Sequence, residues 1–262
     1  MTIHRKDDIA FYTFPVLDDL GIAHGIFMRH GGVSHAPWSS LNLATSVGDT
    51  RENVIENRRR ITACLNRATE SIFDVWQVHS NTVISTDRPR HLDTPHQKAD
   101  AIITDNSAVT LMMLFADCVP ILLYDRKTNT AAIAHAGWQG TVNKVVEHAI
   151  TKMIVQHGCA PETITACIGP SICVDHYQIG DNVVEAVSRV FPHTDEILFE
   201  KDRHYYFNLQ FANRQIIADK GISDIHISGI CTAENTADWF SHRAESGKTG
   251  RFAAVLTCKG GQ

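Results

Sequence analysis

Residues 99–136 read ADAIITDNSAVTLMMLFADCVPILLYDRKTNTAAIAHA and form the most apolar part of a chain of 262 residues. This stretch contains four apolar runs of strand length that are bounded by Asp, Asn or Gly. The runs are Ala101–Thr104, Ala108–Phe115, Pro120–Tyr124 and Ala131–Ala136. Because they lack polar alternation, they are typical of strands that are buried on both faces.

Helical patterns lie on both sides of this apolar centre. Arg51–Arg67 has apolar residues at helical spacing, with Asp49 or Thr50 as its N-cap, and Thr141–His157 has one apolar face followed by Gly158. Two further helices are predicted at Val183–Phe191 and Leu209–Lys220, and two further strands at Ile164–Ile168 and Ile225–Ile230. Strands interspersed with helices indicate a mixed α and β core with helices packed outside, whereas periodicity leaves the strand order open.

Composition excludes several classes of protein. The formal net charge is -5, so no basic excess exists to neutralise nucleic-acid phosphates. No apolar run reaches the roughly 20 residues that a membrane span needs, and the N-terminal MTIHRKDDIAFYTF lacks the apolar region of a signal peptide. The seven cysteines are an odd number without repeated spacing, unlike a disulfide framework. We therefore expect a cytoplasmic protein with neither nucleic-acid nor membrane partners.

Three reactive residues interrupt apolar strands. His79 lies in WQVHS, Cys118 in LFADCVP and His135 in IAHAGWQG, separated by 39 and 17 positions. This is not zinc-finger spacing, but separate strands could assemble the three side chains into one site. Two imidazoles and one thiolate suit Zn²⁺ and leave a fourth position open. The alternative is a packing cysteine and histidines that bond backbone carbonyls.

Other polar residues are candidate substrate contacts. Arg29, Arg243 and Arg251 could bind an anion or a ribose, since guanidinium groups match phosphate oxygens, although each could instead form a surface ion pair. Gln77 lies two positions before His79 and could share its face, and Asn42 is a further candidate. Asp117 would point away from Cys118 on a continuing strand, which favours a supporting role for it.

Several motifs occur together in a recognisable order: WQVHSN (76–81), ADAIIT (99–104), ADCVP (116–120), HAGWQG (135–140), IGPS (168–171) and KTGR (248–251). With RHGGVS (29–34) upstream, this set resembles the multicopper polyphenol oxidase, or laccase domain-containing, family. That family is also called the purine nucleoside phosphorylase or peptidoglycan-editing family. The similarity extends over nearly the whole chain.

The resemblance implies a zinc site at His79, Cys118 and His135, which would also be the catalytic residues. It implies phosphorolysis of adenosine, guanosine, inosine and methylthioadenosine, with deamination of adenosine, so the partners would be purine nucleosides and phosphate. Together with the apolar centre it predicts an α+β fold, packed mixed β-sheets with flanking helices, in a single domain over residues 1–262.

The oxidase in the family name finds little support in the sequence. A multicopper oxidase needs about four coppers and many histidine ligands, whereas this chain contains no His-x-His element. Copper could still occupy the triad in vitro, because Cu²⁺ outcompetes Zn²⁺ at most nitrogen sites.

Two alternative functions stay open. Cys118 and His135 could form the dyad of a metal-free cysteine hydrolase or deamidase. The chain could also be an editing factor that binds cell-wall precursors without turning over nucleosides.

Overall fold

The computed structural model describes residues 1–260, and two β-sheets packed face to face form its centre. The strands are β1 Thr2–Lys6, β2 Ile9–Thr13, β3 His24–Phe27, β4 Ile72–Phe73, β5 Val83–Ser85, β6 Ala101–Thr104, β7 Thr110–Phe115, β8 Val119–Asp125, β9 Thr130–Ala136, β10 Ile164–Ile168, β11 Gln178–Ile179, β12 Leu198–Lys201, β13 His204–Phe207, β14 Asp224–Ile227 and β15 Phe252–Thr257. The helices are α1 Pro15–Asp19, α2 Arg51–Cys64, α3 Trp138–Val142, α4 Val145–His157, α5 Asp181–Val190 and α6 Leu209–Asp219.

Both large sheets mix parallel and antiparallel pairs. The first has the order β1-β2-β3-β15-β7-β4, and the second has the order β14-β10-β8-β9-β6-β5. Parallel pairs occur at β4–β7, β5–β6 and β10–β14, while the other pairs in these sheets are antiparallel. A small third sheet has the order β11-β13-β12.

The apolar runs are buried on both faces, as predicted, because each sheet has a second layer behind it. On β7, Leu111 and Met113 face the second sheet, whereas Met112 packs on the opposite side with Ile61 of α2. This alternation follows the period of two in a strand. On β9, Ile133 lies between the sheets, and the alternate alanines face the apolar sides of α4 and α6. The layers are therefore helix, sheet, sheet, helix.

The α+β prediction of packed mixed sheets with flanking helices is confirmed. The helix predicted from residue 51 begins there, and the Thr50 side chain accepts a hydrogen bond from the Asn53 N–H. The helix predicted over residues 141–157 is wrong in its start: α3 and α4 are separate, because Lys144 takes a left-handed backbone with φ 55° between them. The strand predicted over residues 225–230 ends at Ile227, just before Gly229 at φ 66°.

Strands β1, β2, β3 and β15 of the first sheet were not predicted from the sequence. The last of these lies between β3 and β7 and is buried throughout. Its place depends on partners far away in the chain, which local pattern does not reveal. Within residues 1–260, no helix combines the length and the apolar character required to cross a membrane.

Ile133 tests the packing between the two sheets. Its side chain is fully buried, so Ile133→Ala removes apolar contacts and leaves a cavity. We expect the free energy of unfolding to fall by about 2–5 kcal/mol in urea titrations. The control is Val155→Ala, since Val155 is 76% exposed on α4 and its loss should change stability by less than about 0.5 kcal/mol. Equal effects of the two substitutions would contradict this packing.

Candidate metal centre and substrate cavity

The three motifs with reactive residues converge at one end of the interface between the sheets. His79 lies in the loop between β4 and β5, Cys118 lies in the turn between β7 and β8, and His135 stands near the end of β9. Their ligand atoms all lie within 4.8 Å of one another. The Cys118 sulfur is 3.9 Å from His79 Nε2, and the two imidazole centroids are 5.0 Å apart.

These distances fit a metal ion. Zinc bonds of about 2.3 Å to sulfur and 2.0–2.1 Å to nitrogen, at tetrahedral angles, place the two donor atoms about 3.6 Å apart. Gly137 provides the space, since a Cβ there would lie 2.8 Å from the Cys118 sulfur. The donor set therefore suits a cation that takes nitrogen and thiolate ligands.

Asp100 positions two of the three candidate ligands. Its fully buried carboxylate accepts a hydrogen bond of 2.9 Å from His135 Nδ1, which leaves Nε2 facing Cys118. The same carboxylate accepts backbone N–H groups from Val78, His79 and Ser80. These bonds support a left-handed backbone at His79, with φ 59°. Burial alone would raise the pKa of Asp100, but the His135 hydrogen bond lowers it below its usual value.

Asp117 supports the turn that carries Cys118. The strand does not continue through it, because its backbone is left-handed with φ 84°. Its carboxylate accepts hydrogen bonds of 2.7 Å from the Thr232 hydroxyl and from the Arg243 N–H. Both oxygens are thus engaged, and Asp117 ties the turn to two distant segments.

Cys118 and His135 form a polarised pair. Burial by itself raises the pKa of the Cys118 thiol, but the facing His135 cation and hydrogen bonds from both histidines lower it to about 6. Burial likewise opposes the charge on His135, but the thiolate and Asp100 raise its pKa. A thiolate that is available near neutral pH is suited both to metal ligation and to nucleophilic attack.

The three residues lie in the wall of a cavity of about 570 Å³. This volume is within the range typical of small-molecule sites. Three of the five predicted substrate contacts, Gln77, Arg243 and Arg251, also line it. The Gln77 amide is occupied by the backbone of Leu114, donating to its carbonyl and accepting its N–H, both at 2.8 Å.

The other two predicted substrate contacts are not among the described residues that line the cavity. Arg29 donates to the Thr236 carbonyl at 2.6 Å and pairs with Glu245 at 3.0 Å. Asn42 is fully buried and accepts the Arg251 N–H at 2.9 Å. Any contribution of these two side chains to binding would therefore be indirect, and for Asn42 it would act through the position of Arg251.

Arg243 and Arg251 differ from the other arginine of the cavity wall. Arg58 is neutralised by the carboxylate of Asp74 at 2.8 Å. Among residues 1–260, Arg243 and Arg251 direct hydrogen bonds to backbone carbonyls and have no carboxylate ion-pair partner. Their charge is available to an anion in the cavity.

Sequence reasoning missed several residues of this region. Tyr177 and His242 line the cavity but lie in segments without a strong pattern. Asp100 lies in the ADAIIT motif, but its bonds to His135 and to the His79 loop were not predicted. The sequence did contain a signal for Asp100, because an aspartate that borders a buried apolar strand needs hydrogen-bond donors.

Fold and site define an α+β protein of two packed sheets whose open cavity carries a His–Cys–His group able to hold a metal ion. Residues 23–259 match the family described as multi-copper polyphenol oxidoreductase laccase. The chain therefore belongs to this family, as its motifs predicted.

Relatives and solved structures agree with this assignment. A protein of Deinococcus radiodurans named purine nucleoside phosphorylase is 34% identical over 91% of this chain and 90% of its own. Bacillus subtilis purine nucleoside phosphorylase YlmD is 34% identical over 90% of this chain and 88% of its own. The crystal structure of YlmD from Geobacillus stearothermophilus superposes with a TM-score of 0.91 at 30% identity, covering 98% of this chain and 99% of that one.

The polarised pair predicts how Cys118 reacts in protein stripped of metal. Its alkylation by iodoacetamide should be fast above about pH 6 and should slow as pH falls through that value, because the thiolate becomes a thiol. His135→Ala should move the midpoint upward, since the cation is lost. Peptide mass spectrometry follows the rate at each cysteine. Cys64, whose pKa is raised by burial, is the internal control, and equal profiles for Cys64 and Cys118 would contradict the pairing.

Proposed function

We propose that this protein is a zinc-dependent purine nucleoside phosphorylase that also deaminates adenosine. The observation that carries the proposal is the convergence of His79, Cys118 and His135 on a cavity that also contains two arginines, neither of which has a carboxylate partner within residues 1–260. The names of the relatives support the nucleoside chemistry. The substrates would be adenosine, guanosine, inosine and methylthioadenosine together with phosphate.

The three candidate ligands would hold the zinc ion. A zinc ion with three protein ligands supplies Lewis acidity and an open coordination position. Asp100 keeps His135 in the tautomer that presents Nε2 to the cavity. Copper could replace zinc in vitro, because nitrogen sites prefer Cu²⁺.

One part of the cavity wall suits the purine base, and another part suits the phosphate. Trp76, Trp138 and Tyr177 provide aromatic surface for a purine. Arg243 and Arg251 provide positive charge for phosphate, whose attack on the ribose C1′ would release the base. Gln77 would shape the cavity by holding its loop to β7. We further propose that residues 1–262 act as a single cytoplasmic domain.

The first test measures products with and without phosphate. Protein of known zinc content is incubated with adenosine, and the products are identified by mass spectrometry. We expect adenine and ribose 1-phosphate only when phosphate is present, and inosine with ammonia in either case. Cys118→Ala should lower both activities by about 100-fold or more, because one metal ligand is lost. Cys64→Ala should leave them unchanged, as Cys64 lies outside the cavity. Full activity of Cys118→Ala would refute the proposal.

Arg251 separates the two reactions. Arg251→Gln removes a charge from the cavity wall, so the KM for phosphate should rise about 10- to 100-fold, the usual range for one charged hydrogen bond. Deamination needs no phosphate and should change much less. Arg203→Gln, at an exposed position on the surface, is the matched control. Equal losses in both reactions would show that Arg251 acts on the cavity as a whole rather than on phosphate.

A second candidate function follows from the polarised pair. Cys118 and His135 have the charge distribution of a nucleophilic cysteine dyad, which needs no metal. The two functions respond oppositely to a chelator. The zinc enzyme should lose activity with its metal and regain it when zinc is returned. A cysteine hydrolase should keep its activity without metal and lose it on alkylation of Cys118.

A further inference from the structure

A second group of metal-ligating side chains lies outside the substrate cavity. It comprises Cys173, His176, Cys231 and Glu234, and the four ligand atoms lie within 4.8 Å of one another. None of the four lines the cavity around His79, Cys118 and His135. The mechanism proposed above does not use them.

The distances within this second group are those of a tetrahedral site. The imidazole Nδ1 of His176 is 3.2 Å from the Cys173 sulfur and 3.7 Å from the Cys231 sulfur. Tetrahedral zinc places a nitrogen and a sulfur ligand about 3.6 Å apart, which lies between these two values. Both distances are thus compatible with a nitrogen and two sulfur ligands that share one metal ion.

Two chain segments build the group, and backbone bonds hold them in register. Ser171 pairs with Cys231 in a parallel β-bridge. A 3₁₀ turn over Val174–His176 then folds His176 back over Cys173, with the His176 N–H donating to the Cys173 carbonyl at 3.2 Å. In both segments the second ligand follows a cysteine by three positions, as Cys173-x-x-His176 and Cys231-x-x-Glu234. The bridge brings these two halves together.

Cys231 also receives a bond typical of a metal thiolate. The Cys173 N–H donates to its sulfur at 3.3 Å. Hydrogen bonds from groups that do not themselves ligate the ion, such as this backbone N–H, orient metal ligands and stabilise the charge on them. Cys231 is buried and Cys173 is half-buried, whereas His176 and Glu234 are exposed. The group therefore has a rigid inner side and an open outer side through which an ion can enter.

We infer that Cys173, His176, Cys231 and Glu234 form a second zinc site, structural rather than catalytic. Two thiolates, one imidazole and one carboxylate are a donor set that zinc accepts, and together they fill all four tetrahedral positions. An ion whose coordination positions are all filled by protein ligands cross-links the chain segments that supply them. Here this cross-link, the zinc clamp, joins the segment around residues 171–177 to the segment around residues 230–235.

This clamp would brace one wall of the substrate cavity. Tyr177 follows His176 directly and lines the cavity, and the Arg243 guanidinium stacks on its ring at 5.0 Å. Thr232, beside Cys231, donates to Asp117 in the turn that carries Cys118. Loss of the second ion should therefore loosen the cavity wall without removing a group from the first site.

The test measures metal in a protein whose first site has been removed. Cys118→Ala protein, purified under reducing conditions, is equilibrated with zinc, freed of unbound metal and assayed by elemental mass spectrometry. We expect about one zinc per chain. Adding Cys231→Ser or Cys173→Ser should remove this zinc, whereas adding Cys64→Ser, a half-buried cysteine outside both groups, should not. Cobalt loading of the same proteins should give thiolate-to-metal absorption that disappears with Cys173→Ser.

Substitution of the two exposed ligands tests the site even if a serine at the buried position of Cys231 prevents folding. His176→Gln and Glu234→Gln in the Cys118→Ala background lie at exposed positions, and each should weaken zinc binding by at least about 10-fold in competition with a chelator. Folded Cys118→Ala protein without zinc would overturn the inference, as would zinc that survives all four substitutions. A Cys173–Cys231 disulfide found under the same reducing conditions would also overturn it. None of these readings depends on nucleoside turnover.

Discussion

The buried carboxylate of Asp100 joins the core of this protein to its chemistry. It lies immediately before β6, where burial would favour its neutral form, yet the hydrogen bonds that it accepts keep its pKa low. Those bonds come from the imidazole of His135 and from three successive backbone N–H groups around His79. The Asp100 carboxylate therefore orients the imidazole of His135 and fixes the backbone conformation at His79. Without these hydrogen bonds, the left-handed backbone conformation at His79, in the loop between β4 and β5, would not be stabilised.

The packed sheets give this arrangement its rigidity. His135 continues the row of β9 side chains that face the first sheet, and its ring lies 5.4 Å from that of Phe115. The candidate metal centre thus lies where the inter-sheet core opens to solvent, with apolar contacts on one side and the cavity on the other. His135 on β9 and Cys118 next to β8 are positioned more precisely than residues on free loops, since the strands cannot move without disturbing the core.

The cysteines show how environment selects chemistry within one chain. Cys167 is buried among apolar side chains between the sheets, which raises its pKa and makes it a packing residue. Cys118 is opposed by two imidazoles, which lower its pKa in spite of burial. Cys173 lies beside Cys231 and an imidazole, and burial together with Cys231 raises its pKa to about 12, so its ionisation would require a bound cation. The residue type is the same, and the neighbouring charges decide its role.

Local periodicity and motifs in fixed order were enough to predict the apolar strands between residues 101 and 136, the α+β class, most helix positions and the family. The sequence also identified His79, Cys118 and His135 as belonging together. The folded chain, in contrast, was needed to show that β15 lies between β3 and β7, that Arg29 and Asn42 lie away from the cavity wall, and that Cys173 and His176 lie beside Cys231. Each of these depends on pairing between segments more than 50 residues apart, a contact that no local pattern encodes.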